Sequence, residues 1–325
     1  PPDAASRSAG LKNTSKWCPL PDSNQHSRFQ ETDFKSVAST NFAKRADEGQ
    51  TSRTLAPRRE TGKPPDGLGR GGCPAPVQRC FVESPCPCFY LPGMDFPAPL
   101  IRGTLLERYK RFLSTIALED GTHVTAHCPN PGSMMGLLPI GGEVWLSPAQ
   151  NPKRKLRYTW ELVRIGKTLV GINTAHANRI VEEKLVAKEI PQLAGYDTVR
   201  REVRYGQNSR IDFLLEKTGQ PPCYVEVKSV TLRLGDSAAF PDSVTVRGAK
   251  HLAELAKVVQ AGKRGVMLYL VQREDCTDFV LAEEIDPAYA TAMKTARTAG
   301  VEALCFFCKM SVEAIKLDQP LPFSL

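Results

Sequence analysis

The sequence lacks any stretch of 18 apolar residues; the run RGVMLYLV at 264–271 has only the length of a strand, so a membrane-spanning helix is excluded. No secretory signal is expected either, because no apolar core follows a basic start. Internal repeats are absent, which excludes solenoids and propellers. An acidic excess is also lacking: 43 Lys+Arg stand against 35 Asp+Glu, a net of +8 that favours polyanionic partners. What is present suits globular folding. Hydrophobic residues make up 41% and charged residues 24% of 325, enough for two domains with real cores.

These features are unevenly spread. Residues 1–93 hold 12 of the 26 prolines and 5 of the 10 cysteines, and they account for half of the net charge. They show no sustained apolar period, and stretches such as APRRETGKPPDGLGRGG (56–72) bury too little to offset chain entropy. Nine acidic residues argue against a transit peptide. The passage at 17–46 resembles a spurious reading frame through transfer-RNA genes. The expectation is a disordered or wrongly assigned N-terminal extension, with Met94 as initiator. Cys73, Cys80, Cys86 and Cys88 are thiolates that could bind zinc, but C-x6-C-x5-C-x-C is no usual finger spacing and prolines interleave it.

From Met94 onward five cysteines remain (128, 223, 276, 305 and 308), an odd number without a disulfide framework, which points to the cytoplasm. Cys305 and Cys308 spell C-x-x-C, yet VEALCFFCKM (301–310) reads as a buried strand and not as a redox site.

Residues 94–174 read as five short strands: TLLERYKRFL (104–113), HVTAHC (123–128), EVWLS (143–147), RYTWELVRI (157–165) and TLVGI (168–172), with turn chemistry between them. So few short strands suit a small OB-like β-barrel, closed to remove its edges. Residues 175–325 alternate. A helix is expected over 175–190, with Ala177, Val181, Leu185 and Lys188 along one stripe and Pro191 as its stop. A meander over 198–206, 209–216 and 223–232 follows, then a helix over 244–262 with Leu252, Leu255 and Val259 inward. The apolar strand 264–271, a helix near 286–299 and the strand 301–310 complete an α/β (α+β) chain: a mixed sheet flanked by helices.

One constellation carries chemistry. On the strand CYVEVKSVTL, Glu226 and Lys228 share a face while Val225, Val227 and Val230 point mainly elsewhere. Asp212 lies on the preceding strand, where a hairpin register would bring it beside Glu226. Two neighbouring carboxylates resist joint ionisation unless a divalent cation relieves them, and hard oxygen ligands favour Mg²⁺ or Mn²⁺. This is the D-x(n)-E-x-K pattern of PD-(D/E)xK nucleases: acids hold metal against a phosphate, and the lysine steadies charge or polarises water. Glu183, on the helix before the meander, is the expected extra carboxylate. The competing reading is a solvated Glu–Lys face on an exposed strand.

The chain resembles the sugar fermentation stimulation protein A (SfsA) family from Met94 to Leu325. The matching pieces are LERYKRFL (106–113), HCPNPGSM (127–134), KRK…TWEL (153–162), N-R-I…E (178–183), SRIDF (209–213), CYVEVKSVTL (223–232), FPD (240–242) and RGAKHLAEL (247–255). The resemblance implies an OB-like domain at 94–174, a PD-(D/E)xK nuclease-like domain at 175–325, non-specific DNA binding and a regulatory link to maltose metabolism. It also implies a site on Asp212, Glu226 and Lys228. Two functions stand side by side: a metal-dependent nuclease, or a DNA-binding regulator on a nuclease scaffold without turnover. A homodimer is left open.

Further groups bear on DNA. Lys153, Arg154, Lys155 and Arg157 form a basic loop suited to phosphates, or simply a solvated turn. Arg247 and Lys250 open a helix whose N-terminus already favours anions. Tyr109, Phe112 and Trp145 could stack bases, though core packing suits at least two of them. His127 and His176 read as structural histidines, and Asp242 as a residue of a helix N-cap region.

Overall fold

In a computed structural model, residues 94–206 and 209–323 are described. The readings of residues 1–93, including Cys73, Cys80, Cys86 and Cys88, lie outside the described residues.

The chain enters on β1 (Met94–Asp95) and then builds a barrel from β2 (Ile101–Tyr109), β3 (Leu113–Leu118), β4 (His123–His127), β5 (Glu143–Pro148) and β6 (Tyr158–Ile165), with β7 (Thr168–Gly171) appended to β6. Antiparallel pairing runs β4-β3-β2-β5-β6, and a parallel contact between β4 and β6 closes the ring. Its interior is filled by Leu105, Ile116, Leu146, Trp160 and Val163; an irregularity in the β5–β6 register lets both β6 residues, three apart, face inward. The stretch expected as one strand over 104–113 is two strands. Lys110 and Arg111 take left-handed φ of 46° and 62°, the geometry of a tight hairpin turn, which no glycine advertises.

Beyond a short turn (Thr174–His176) come α1 (Ala177–Val186), the meander β8 (Thr198–Tyr205), β9 (Ser209–Glu216) and β10 (Cys223–Val230), then β11 (Leu232–Leu234) and β12 (Ser237–Phe240). The chain continues through α2 (Val246–Gln260), β13 (Arg264–Val271), β14 (Asp278–Leu281), α3 (Pro287–Thr298), β15 (Glu302–Met310) and β16 (Ala314–Pro320). One sheet has the order β1-β16-β15-β13-β10-β9-β8, with β10, β13 and β15 parallel at its centre. A second, small sheet joins β11, β12 and β14.

Strand β13 shows why two layers of helix are needed. Val266, Leu268 and Leu270 enter the core with α1, while Met267, Tyr269 and Val271 enter the core with α2 and α3. A parallel strand buried on both faces must be apolar throughout, as RGVMLYLV is.

Four expectations need correction. Helix α1 stops at Val186, not at Pro191: Lys188 turns left-handed (φ 58°), and the N–H groups of Lys188 and Glu189 donate back to Leu185 and Lys184. Its buried stripe is Ala177, Ile180, Val181 and Leu185, with Lys188 exposed. Val230 packs in the α2/α3 core, on the side of Glu226 and Lys228. The chain also does not close on β15, because β16 pairs antiparallel with it and with β1.

Candidate nuclease-type site

The meander opens where its acids stand. Pairing between β9 and β10 runs through Val225 and Phe213 and stops there, so Asp212 and Glu226 would be the next partners of a ladder that splays. Pairing between β8 and β9 also skips Asp212, opposite Glu202, whose φ is +51°. Across this irregularity the faces slip: Ile211 joins the α2/α3 core and Phe213 the α1 core. The carboxylate of Asp212 takes over the vacated ladder position. Its Oδ2 accepts from the Val227 N–H at 2.8 Å and its Oδ1 from Asn178 Nδ2 at 2.8 Å.

Glu226 is 3% exposed. Its Oε1 accepts from Lys228 Nζ at 2.7 Å and is in contact with His251 Nδ1, while Oε2 is buried with no hydrogen-bond partner among the described residues. His251 stands one helical turn after Arg247 on α2, and Arg247 Nε lies 3.3 Å from His251 Nε2. The two acids are pushed apart electrostatically. Burial, and then the charge of Glu226, raise the Asp212 carboxyl above its ordinary range. Burial acts to raise Glu226 as well, but the hydrogen bond from His251 and the Lys228 charge outweigh it and hold that carboxyl low.

These groups form the floor of a recess of about 550 Å³. Lys228, Arg247 and His251 line it from the sheet and α2, and Asp242 from the turn after β12. Arg111 and the loop Asn130–Gly132 line it from the barrel. A neighbouring recess of about 500 Å³ shares Asp212, Glu226, Arg247 and His251 and adds Glu202, Arg210 and Lys250.

Not every expected residue arrives. Glu183 does not line the recess; its Oε2 accepts from the backbone N–H of Met94 at 3.2 Å. Five positions along the helix from Asn178, it lies about 140° round the axis, on another face. Lys153, Arg154, Lys155 and Arg157 are exposed on the loop between β5 and β6 and do not line either recess. Trp145 is buried beneath the Arg164 guanidinium, Tyr109 is half-buried and Phe112 is exposed. His176 is tied to the buried Glu161 and to Asn173, and His127 is half-buried.

Asp242 is not the cap of α2; Thr245 is, accepting from the Gly248 N–H. Asp242 instead receives the barrel loop, through Ser133 Oγ to its carbonyl at 2.6 Å and the Met134 N–H to Oδ2 at 3.1 Å. Asn178, His251 and Arg111 were missed from sequence, although each lies inside a stretch that matches the family. The i, i+4 spacing of Arg247 and His251 could have found the second.

A closed five-strand barrel followed by a helix-flanked mixed sheet, with an acid pair where its meander opens, defines an OB-domain protein with a nuclease-like second domain. The family model described as the SfsA N-terminal OB domain matches residues 106–172, and that of the sugar fermentation stimulation protein RE domain matches 175–314. A sugar fermentation stimulation protein homolog of Paramagnetospirillum magneticum is 56% identical over 232 residues, covering 71% of this chain and 98% of the relative. Another, of Rhodospirillum centenum, is 57% identical over 232 residues, covering 71% and 100%. The chain belongs to the SfsA family. The Pyrococcus furiosus SfsA structure, in complex with Ca²⁺, is 26% identical with a TM-score of 0.66, covering 72% of this chain and 99% of that one.

Proposed function

We propose that this protein binds DNA non-specifically, through phosphates, and hydrolyses phosphodiesters at a metal-dependent site of Asp212, Glu226 and Lys228. The observation that carries the reading is the unpartnered, buried Glu226 Oε2 beside Asp212, in a recess lined by cations. A buried carboxylate oxygen without a donor is costly unless a ligand meets it.

The donor set suits Mg²⁺ or Mn²⁺. Among the described residues no three His, Cys, Asp or Glu gather to hold a metal, which disfavours a zinc-type cage. Mg²⁺ commonly uses one or two carboxylates and completes its shell with water and substrate phosphate. Asp212 and Glu226 would hold the ion; bound there, it would offset phosphate charge and acidify a water. The Ca²⁺ in the Pyrococcus furiosus relative, another hard cation, supports this choice.

The chain's own groups supply the rest. Asn178 and the Val227 N–H fix the Asp212 carboxylate, and His251 engages Glu226 through Oε1, which leaves Oε2 for the metal. Lys228 stands beside the reacting phosphate to steady the charge that grows on it. Arg247 and Lys250, in the first turns of α2, bind neighbouring phosphates. The hydrolysis is an in-line attack: the water oxygen bonds to phosphorus as the opposite sugar oxygen departs. The setting is the cytoplasm, in keeping with the free cysteines at 128, 223, 276, 305 and 308, and the biological role is in sugar (maltose) metabolism.

The engagement of Glu226 Oε1 by both Lys228 and His251 favours a second reading, a DNA-binding regulator without turnover. One experiment separates them. The full chain is incubated with plasmid and single-stranded DNA in Mg²⁺ or Mn²⁺, beside Glu226→Gln. Cleavage by the wild type that the variant loses, with binding kept, supports the nuclease. Binding with no cleavage above the variant leaves the regulator, and no binding at low salt removes both.

A further inference from the structure

Arg111 is the barrel's cation in the recess, and its placement is built. It occupies the second left-handed position of the β2–β3 hairpin, where a non-glycine residue is uncommon and carries backbone strain. The turn is anchored by Arg108, whose Nε donates to the Arg111 carbonyl at 3.0 Å. The same guanidinium donates to the carbonyls of Asn130 at 3.0 Å, Gly132 at 3.1 Å and Ser133 at 3.3 Å. Ser133 and Met134 in turn hold Asp242, so the hairpin tip, the barrel loop and the rim of the nuclease-like half form one strap. Gly132 allows the close approach: a Cβ there would lie 2.2 Å from Asp242 Oδ2. At the end of this strap the Arg111 side chain is exposed and, among the described residues, has no ion pair or hydrogen bond of its own.

The recess also limits what can reach its floor. Glu226 is buried beneath walls from both domains, so a phosphate must descend to it. Arg111, Lys228 and Arg247 all line the recess that holds the acid pair, so a phosphate reaching Glu226 meets basic side chains from the barrel, the sheet and α2.

We infer that Arg111, delivered from the barrel, is a phosphate-binding residue of the site. This rests on the DNA-binding reading above and adds a contribution from the other domain.

The test is fluorescence anisotropy of the full chain with a labelled single-stranded oligonucleotide and with its duplex, across a salt series. Arg111→Asn removes the charge but tolerates the left-handed turn, so its melting temperature stays at the wild-type value. Losing one phosphate contact lowers the salt slope by about 0.7, which is about fivefold in affinity over the decade from 1 M to 0.1 M salt. Arg111→Lys restores the slope. Wild-type affinity and slope in Arg111→Asn would overturn the arginine's assignment. Failure of the wild type to bind either probe removes the proposed function, and this inference with it.

Discussion

Replacing Glu161 by Gln probes the seam between the barrel and the segment leading into α1. Glu161 lies on β6, 3% exposed, in the TWEL stretch. Its carboxylate accepts from Ser147 Oγ at 2.6 Å and Asn173 Nδ2 at 2.7 Å, and meets His176 Nε2 at 2.8 Å. Gln keeps the volume and one acceptor, but its amide turns a donor toward groups that need an acceptor. Breaking a buried charged pair costs about 3–5 kcal/mol, and retained shape sets the expectation near the lower end, about 3 kcal/mol. At roughly 2–4 °C per kcal/mol for a unit of this size, the melting temperature falls by about 6–12 °C. The pH dependence has a definite sign. Burial acts to raise the Glu161 carboxyl, but hydrogen bonding and charge from His176, with Ser147 and Asn173, outweigh it and hold it below its ordinary range. The folded state therefore takes up this proton less readily than the unfolded chain. The stability it confers is present above the unfolded pKa and is lost as pH falls through the folded one. Urea denaturation of both proteins from about pH 6 to pH 3 should show a gap that narrows in acid. A gap below about 1 kcal/mol at pH 6, or one that does not narrow, would refute the reasoning.

Other substitutions address other parts of the structure. Gly132→Ala places a methyl group 2.2 Å from Asp242 Oδ2, so it should cost about 1–3 kcal/mol and weaken DNA binding; wild-type melting and binding would contradict the strap. Leu268→Ala opens the centre of β13 in the core with α1 and should cost about 2–5 kcal/mol in urea denaturation, with a loss under 1 kcal/mol arguing against that placement. Substituting Lys153 and Lys155 together by Ala should reduce the salt slope of DNA binding and leave the cleavage rate at saturating DNA unchanged, since neither lines the recess. A changed saturated rate, read from plasmid nicking, would place that loop nearer the chemistry.

Local patterning is a good guide where burial is regular. RGVMLYLV, short and apolar throughout, reads as a doubly buried strand, and the alternation in CYVEVKSVTL is enough to put Glu226 and Lys228 on one face. It fails where backbone geometry departs from the residue's habit. Lys110 and Arg111 make a tight turn without Gly or Asn, so LERYKRFL reads as one strand. Lys188 ends α1 from the left-handed region, where lysine is uncommon. Chain order alone assigns Glu183 to the site, yet its angular position on α1 takes it to Met94.

The sequence by itself determined the family, the barrel-then-sheet architecture and the D…E-x-K trio, because these rest on residue type and on spacing within one element. Only the tertiary structure decided how the trio is held. The slip at Asp212 that frees the Val227 N–H, the reach of His251 to Glu226, and the strap from Arg108 to Asp242 are contacts between segments 15 to 109 residues apart. Such contacts depend on how elements pack, and no local period along the chain encodes them.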